Sequence, residues 1–156
     1  MTQKNIGRFE RQLCDIQGRL FECSLSIELN SVDFIQAFMT SKTCEFLDMP
    51  YDRLQWAGEE YILENLLEET SIKTGGTQYG REVLFWIGYT YRYWHILTGE
   101  SSSEIHNQAN AKKMNECYLG FHTLDVAMAI DDLKEIYRQE NKDITYGKIE
   151  IVENEQ

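Results

Sequence analysis

The chain has 156 residues and a formal net charge of −11, and apolar residues make up 42% and aromatic residues 12% of it. This composition is typical of one globular domain and excludes a disordered chain, and no apolar run approaches the roughly 18 residues that a membrane-spanning helix needs. Because a nucleic-acid binder presents a positive surface to the phosphates, the negative charge argues against direct nucleic-acid binding.

The N-terminal third of the chain combines a helix with the clearest strand signal in the sequence. Apolar residues at helical spacing from Ile6 to Ile16 predict a first helix that ends near Gly18. Residues 21–29 then alternate strictly between apolar and polar, which predicts a β-strand with one buried face. Two short helices follow before residue 50.

Two longer helices are expected in the middle of the chain. Pro50 is the only proline and suits the first turn of a helix that runs to residue 69. Residues 79–97 form a second helix that is rich in aromatic side chains, and Gly99 is expected to end it. Glycines and threonines at 74–77 predict the loop between the two.

The last part of the chain carries two helix-start signals. Ser101 and Glu104 have the spacing of a capping box, which predicts a helix from residue 102 to about 118. Thr123 is expected to cap a final amphipathic helix whose apolar residues recur every three or four positions.

The fold expected from these elements is mainly α. Residues 144–152 are a candidate second strand, and residues 153–156 are expected to be a frayed polar tail. We therefore predict a single compact domain over residues 1–156, with five to six helices and one or two short β-strands.

The cysteines give no sign of a metal site or a disulfide framework. They are scattered at Cys14, Cys23, Cys44 and Cys117. No pair has the C-x-x-C spacing of a zinc or redox motif, and the first residues lack the apolar stretch of an export signal. We expect reduced thiols in the core, no metal or cofactor, and a cytoplasmic location.

The aromatic helix supplies the first candidate site. On a helix, Arg81, Phe85, Gly88, Arg92 and His95 fall on one face. A guanidinium group suits a carboxylate or phosphate, and the surrounding rings are able to stack on a nucleotide base. The alternative is that each arginine pairs with an acidic side chain and braces the core, since arginine is rarely buried without a partner.

A second candidate lies before the last helix. His122 directly precedes the helix and Asp125 follows within its first turn, an arrangement that serves acid–base chemistry or anion binding. The alternative is a structural cap in which Thr123 satisfies free N–H groups and Asp125 favours the helix dipole. Because the chain contains no H-E-x-x-H, G-x-S-x-G, P-loop or dinucleotide-binding motif, we lean towards a protein without catalytic activity.

A run of acidic residues marks the segment 45–69. It holds eight acidic side chains and one arginine: Glu45, Asp48, Asp52, Glu59, Glu60, Glu64, Glu68, Glu69 and Arg53. Such a run is usually a solvated helix face. The alternative is a docking surface for a basic protein or a mimic of nucleic-acid charge.

The pattern WIGYTYRYW, followed by ESSSEI and YLGFHTLDVAMAI, resembles a group of small acidic bacterial proteins from toxin–antitoxin-type loci, which lie near ADP-ribosyltransferase-like toxins. The resemblance covers about residues 34–136. Its matching positions are Trp86, Gly88, Tyr89, Tyr91, Arg92, Tyr93, Trp94, Ser101, Ser102, Ser103, His122, Thr123, Leu124 and Asp125. The resemblance implies a cytoplasmic protein that works with a partner and neutralises a toxin.

These observations lead to three functional hypotheses. The first is a non-enzymatic, antitoxin-like interaction protein that neutralises or regulates a protein partner, such as a basic toxin, by binding it. The alternative is a small enzyme or ligand-binding protein that recognises an anionic or nucleotide ligand through Arg81, Arg92 and His122. A third is a homodimer joined through the aromatic helix. The residues expected to contact a partner or ligand are Arg81, Tyr89, Arg92, Tyr93, Trp94, His95, His122 and Asp125.

Overall fold

Helices account for almost all of the regular structure in the computed structural model, which describes residues 6–50 and 52–154, with side chains up to residue 142. The α-helices are α1 (Arg8–Ser26), α2 (Ser31–Met39), α3 (Lys42–Asp48), α4 (Glu59–Glu69), α5 (Arg81–Thr98), α6 (Ser102–Gln108), α7 (Ala111–Phe121) and α8 (Val126–Asn154). A 3₁₀ helix (Arg53–Trp56) precedes α4. The mainly α, single-domain fold is as predicted, although the helices outnumber the five to six expected.

The closest helix pair is α1 with α5, and two glycines make its close approach possible. A Cβ atom at Gly88 of α5 would lie 2.5 Å from the backbone oxygen of Gln17, and one at Gly18 of α1 would lie 2.7 Å from the ring of Phe85. The Gln17 side chain donates a hydrogen bond to the Gly88 carbonyl (2.9 Å). Gly18 is therefore a packing residue inside α1 and does not end the helix.

The predicted strand at residues 21–29 is wrong, because α1 continues through Ser26. Leu20, Phe21 and Ser24 are buried together on one helical face, and the Ser24 hydroxyl donates to the Phe21 carbonyl (2.6 Å). The alternating pattern suggested a strand because Ser24, a polar residue, lies on the buried face of the helix. Of the expected strand, only Leu29 pairs with another strand-like residue, in an isolated antiparallel bridge to Thr74.

The second predicted strand, at residues 144–152, is also wrong, since these residues belong to α8. The apolar residues of the helix recur at helical spacing from Ala127 through Ile130 to Leu133, and the same backbone hydrogen-bonding pattern continues to Asn154. Only part of the predicted frayed tail is described. The backbone of residues 153–154 is helical, and residues 155–156 lie outside the described part of the chain.

The additional helices arise from two breaks that the sequence pattern did not reveal. Gly58 adopts a φ of 83°, which a side-chain-bearing residue rarely does, and it separates the 3₁₀ helix from α4 within the expected helix 50–69. Asn110 caps α7 by accepting a hydrogen bond from the Lys113 amide (2.9 Å), and this divides the expected helix 102–118.

The signals at Gly99 and at Ser101 with Glu104 are confirmed, whereas those at Pro50 and Thr123 are wrong: Pro50 lies in a turn before the 3₁₀ helix, and α8 begins only at Val126, so Asp125 precedes its first turn. The aromatic helix α5 ends at Gly99, whose φ of 77° is the left-handed conformation of a C-terminal glycine. Ser101 and Glu104 form the predicted capping box at the start of α6. The core lies where α1, α2 and α5 meet; its largest fully buried side chains are Trp94, Tyr91, Phe21, Phe34 and Phe38. Within the described residues, no helix has the length and apolar character needed to cross a membrane.

Candidate functional site

The aromatic helix α5 is the central helix of the fold, and its burial decides what its functional residues are able to do. Tyr91 and Trp94 have no exposed surface, and the Tyr91 hydroxyl donates to the Ala109 carbonyl (2.5 Å). Burial raises the pKa of Tyr91 well above its ordinary value. Trp94, which was expected to contact a partner, is a core residue, and the Lys134 ammonium lies 5.7 Å from its ring centroid.

Arg92 is buried, with 3% of its surface exposed. Its Nε donates to Gln17 Oε1 (2.8 Å), and its Nη1 donates to Asp48 Oδ1 (2.7 Å) and to the Leu47 carbonyl (3.3 Å). Its Nη2 lies 3.5 Å from the Cys44 sulfur. The guanidinium charge is therefore balanced by a carboxylate of the same chain, as in the structural alternative considered for this residue.

Asp48 joins three helices at this point. Besides the ion pair with Arg92 of α5, its carboxylate accepts hydrogen bonds from the Ser102 amide (2.8 Å) and hydroxyl (2.7 Å) at the start of α6. The carboxylate is 13% exposed. Because both oxygens already accept hydrogen bonds, Asp48 is held in place and is unsuited to act as a free acid or base.

His95 lies beside this ion pair, and carbonyl groups surround its ring. Its Nδ1 is 2.6 Å from the Glu100 carbonyl and its Nε2 is 3.1 Å from the Asp48 carbonyl. A neutral imidazole has one N–H, so both contacts are hydrogen bonds only when the ring is protonated. The Asp48 carboxylate oxygen Oδ1 lies 3.8 Å from Nδ1.

A pocket of about 480 Å³ opens next to Arg92 and His95. It lies between the start of α1, the end of α3, the 3₁₀ helix and the last turns of α5. Its lining residues are Phe9, Glu10, Leu13, Leu47, Asp48, Pro50, Gln55, Arg92, His95, Ile96 and Gly99. Of the residues predicted to form a site, the pocket brings together Arg92 and His95; Arg81 and His122 do not line it.

The buried thiols near the pocket are poor nucleophiles. Burial raises the pKa of Cys44 to about 12, against the lowering effect of Arg92, and it raises that of Cys14 to about 12 as well. Thiolate is the reactive form of cysteine, so neither side chain is suited to nucleophilic catalysis. Among the described side chains, no group of three or more His, Cys, Asp or Glu is arranged to hold a metal ion.

The other arginine of the predicted site is a surface residue. Arg81 is at the start of α5, its side chain is 75% exposed, and its Nε donates to Glu22 Oε2 of α1 (2.8 Å). Tyr89 and Tyr93 form a half-buried ladder with Phe85, with ring centroids 6.0 Å and 6.3 Å apart. Phe85, at one end of this ladder, packs against Gly18 of α1 in the α1–α5 seam.

His122 and Asp125 lie at the exposed junction of α7 and α8. The His122 ring stacks on Tyr118 (4.2 Å between centroids), and its Nδ1 lies 2.6 Å from the Tyr118 carbonyl. Burial, followed by the negative charge of Asp125, raises the pKa of Tyr93, so Asp125 lies near the end of the tyrosine ladder. The structure therefore places Asp125 near Tyr93 and leaves His122 in an aromatic surface contact.

Sequence reasoning missed a groove of about 660 Å³ between α3, the 3₁₀ helix and α4, with four apolar and three polar lining residues. Phe46 and Tyr61 line it and are 44% and 55% exposed. Trp56 of the 3₁₀ helix is 71% exposed and stacks on Phe9, with 4.8 Å between ring centroids. The sequence carried one signal for this groove: large apolar residues lie within the acidic run, whereas a solvated helix face would lack them.

The acidic residues of the segment 45–69 fall into two groups: carboxylates that bind another described residue and carboxylates that do not. Asp48 pairs with Arg92, Glu59 with Arg19 (3.2 Å), and Glu69 accepts hydrogen bonds from the first amides of α3. Asp52 caps the 3₁₀ helix. Four carboxylates take no ion pair or hydrogen bond from any described residue: Glu45, Glu60, Glu64 and Glu68.

Comparison of the chain with protein-family models, with curated proteins and with solved structures gives no match. The functional argument therefore rests on the geometry of the site, on the resemblance in sequence pattern and on physical chemistry.

Proposed function

We propose that this chain is a non-enzymatic, antitoxin-like interaction protein of the cytoplasm, which binds a basic protein partner and thereby neutralises or regulates it. The observation that supports this proposal best is the groove between α3, the 3₁₀ helix and α4, where large apolar side chains are exposed beside free carboxylates. Apolar anchors contribute most of the energy of a protein interface, and the surrounding charge selects the partner.

Large apolar side chains remain exposed on the elements that form this groove: Phe46, Trp56 and Tyr61. Its apolar lining residues are Phe46, Leu54, Ala57 and Tyr61, and its polar ones are Asp52, Arg53 and Asn65. Exposed apolar patches of this kind in a small protein mark interaction sites. The contact residues in this proposal are therefore Phe46, Trp56 and Tyr61, in place of Arg92, which is too deeply buried to touch a partner.

The charge beside the groove favours a basic partner. Glu60, Glu64 and Glu68 are spaced four residues apart and form an exposed stripe along α4. Their charges are not compensated within the described chain, and the net charge of −11 has the same sign. Such a field raises the association rate of a basic protein and lowers that of an acidic one.

The ligand-binding or enzymatic alternative, with an anion held by Arg81, Arg92 and His122, receives less support. Arg81 pairs with Glu22 at the surface, Arg92 pairs with Asp48 in the interior, and His122 contacts Tyr118. Neither Arg81 nor His122 lines the pocket beside Arg92. An anion would have to compete with carboxylates for both arginines.

The test is capture of partners from the native cell lysate by the tagged protein and two charge-reversal variants. One variant carries Glu60→Lys, Glu64→Lys and Glu68→Lys on α4. The control carries Glu116→Lys, Asp131→Lys and Asp132→Lys on α7 and α8, all of which are exposed. Both variants change the net charge equally, so a difference between them reports the location of the charge.

We expect a basic protein that the parent and the control retain and that the α4 variant loses. The captured protein should then associate more slowly as the salt concentration rises, because exposed charges are screened over about 8–10 Å at physiological ionic strength. Equal capture by all three proteins would contradict the proposal. Measuring the mass of the purified parent at several concentrations separates a homodimer from a partner complex.

A further inference from the structure

The pocket beside Arg92 and His95 has the size and lining of a small-molecule site, and it is separate from the groove to which the proposed partner binds. Its volume of about 480 Å³ falls within the range of roughly 300–1,000 Å³ that ligand sites occupy. Phe9, Leu13, Leu47, Pro50 and Ile96 give it mainly apolar walls. Five polar or charged residues complete the lining, and most of them already bind other groups of the chain: Glu10, Asp48, Gln55, Arg92 and His95.

Gln55 provides an acceptor that no described group satisfies. The residue is 7% exposed, and its Nε2 donates to the carbonyl groups of Met49 (2.7 Å) and Leu47 (3.2 Å). Because two carbonyl oxygens can only face the NH₂ group, the orientation of the amide is fixed. Its Oε1 receives no hydrogen bond from the described residues and is left for a molecule in the pocket.

The inner end of the pocket adjoins a smaller space of about 10 Å³, which is room for one water-sized group. The two spaces share Leu13, Leu47, Gln55 and Arg92, and Gln17 lines the inner one. Six of the nine residues around the smaller space are aliphatic, and the Gln17 amide already binds Gly88 and Arg92. Gln55 Oε1 is therefore the group left to bind a polar head, and the apolar body of the ligand would fill the outer pocket.

The charges around the pocket select against an anion. Arg92 is neutralised by Asp48, and Glu10 adds a further carboxylate to the lining. Even with a protonated His95, the positive charges of the lining do not exceed the negative ones. The net charge of −11 over the whole chain acts in the same direction.

We propose that this pocket binds a small, largely apolar molecule that is uncharged or cationic and that donates an N–H or O–H hydrogen bond to Gln55 Oε1. This site requires no protein partner, so the proposal does not depend on the function proposed above.

Three probes that share one ring system test the charge preference: indole-3-acetamide, tryptamine and indole-3-acetate. Each is titrated to about 5 mM into the ¹⁵N-labelled full-length chain, since molecules of this size with ordinary efficiency bind with a Kd of about 1 mM. We expect the amide and the amine to shift the backbone resonances of Leu13, Gln55 and Ile96. The acetate should bind at least about tenfold more weakly, because its charge meets the Glu10 carboxylate while the charge of Arg92 is already neutralised by Asp48.

The variant Ile96→Trp places a larger side chain in the lining at a residue that makes none of the hydrogen bonds of Arg92 and Asp48, and it should abolish the shifts. The control Leu119→Trp adds the same side chain at a position on α7 that is 82% exposed, and it should bind as the parent does. Absence of shifts with all three probes would overturn the proposal, as would tighter binding of the acetate or unchanged binding in Ile96→Trp. Partner capture through α4 is measured separately, so the failure of one proposal would leave the other unaffected.

Discussion

Arg92 of α5 and Asp48 at the end of α3 form an ion pair in the protein interior, with 2.7 Å between Nη1 and Oδ1. The arginine side chain is 3% and the carboxylate 13% exposed, and Asp48 also binds the first residue of α6. The pair therefore fixes the relative positions of α3, α5 and α6. This explains how a side chain expected to contact a ligand came to have a structural role.

Removing the arginine should destabilise the fold strongly. Arg92→Met leaves the Asp48 carboxylate buried without its counter-charge and leaves Gln17 Oε1 without a donor. Breaking one side of a buried pair costs about 3–5 kcal/mol. Urea denaturation followed by circular dichroism should show this loss, and the double variant Arg92→Met with Asp48→Asn should recover part of it.

Arg81→Met is a matched control, because Arg81 also lies on α5 and also pairs with a carboxylate of another helix. Its side chain is 75% exposed, so its removal should cost about 0–1 kcal/mol. Equal losses in the two variants would contradict a special role for the buried pair.

The seam between α1 and α5 gives a second prediction. In Gly88→Ala the new Cβ atom would lie 2.5 Å from the Gln17 carbonyl oxygen, so the two helices would have to move apart. We expect a loss of about 1–3 kcal/mol in the free energy of unfolding, although alanine favours the helix itself. In Gly120→Ala on α7, nothing lies within 4 Å of the new atom, and a gain of about 0.5–1 kcal/mol is expected. A stable Gly88→Ala protein would show that the seam is looser than described.

The parts of the fold that the sequence predicted are those whose signals are local. Gly99 ends α5, and Ser101 with Glu104 starts α6, because each signal involves groups within a few residues of one another. The extension of α1 through Ser26 was missed because its buried face includes a serine, which resembles the polar half of a strand pattern. The choice between a strand and a helix for this segment depends on its contact with α5, which lies far away in the sequence.

The candidate site was predictable only in part, because its partners are distant in sequence. Arg92 was identified correctly as needing an anionic partner, but Asp48 lies 44 residues away and no local pattern connects them. The exposure of Tyr61 was hidden by the assumption of one continuous helix over residues 50–69. The chain breaks at Gly58, α4 begins only at Glu59, and Tyr61 in its first turn is 55% exposed.

The four cysteines give a prediction about reactivity. Cys14 and Cys44 are fully buried, and burial raises the pKa of each to about 12. Cys23 and Cys117 are partly exposed, and partial burial raises the pKa of each thiol, so they should react more slowly than a free thiol but remain accessible. With iodoacetamide at about pH 8, near the ordinary thiol pKa, the native protein should be alkylated at Cys23 and Cys117 only, and all four should react in urea. Intact mass and peptide mapping measure this; rapid native modification of Cys44 would contradict the packing around Arg92.

Glu69 of α4 has a structural role at the start of α3. Its carboxylate accepts hydrogen bonds from the amides of Lys42 (2.7 Å) and Thr43 (2.9 Å) and from the Thr43 hydroxyl (2.7 Å). Burial alone would raise the pKa of Glu69, but these hydrogen bonds outweigh it and hold the pKa below its ordinary value of 4.5.

This lowered pKa predicts how stability depends on pH. The ionised carboxylate stabilises the folded state above the pKa of the unfolded chain, and the contribution is lost as the pH falls through the lower folded pKa. Glu69→Gln should therefore cost about 0.5–1 kcal/mol near neutral pH, as loss of a helix cap does, and its difference from the parent should shrink below an unfolded pKa near 4.5. Urea denaturation at several pH values measures this. A difference that stays constant into the acid range would mean that Glu69 does not cap α3 as a carboxylate. The control is Glu68→Gln, which removes a free carboxylate from the same helix and should change stability at neutral pH by less than about 0.5 kcal/mol.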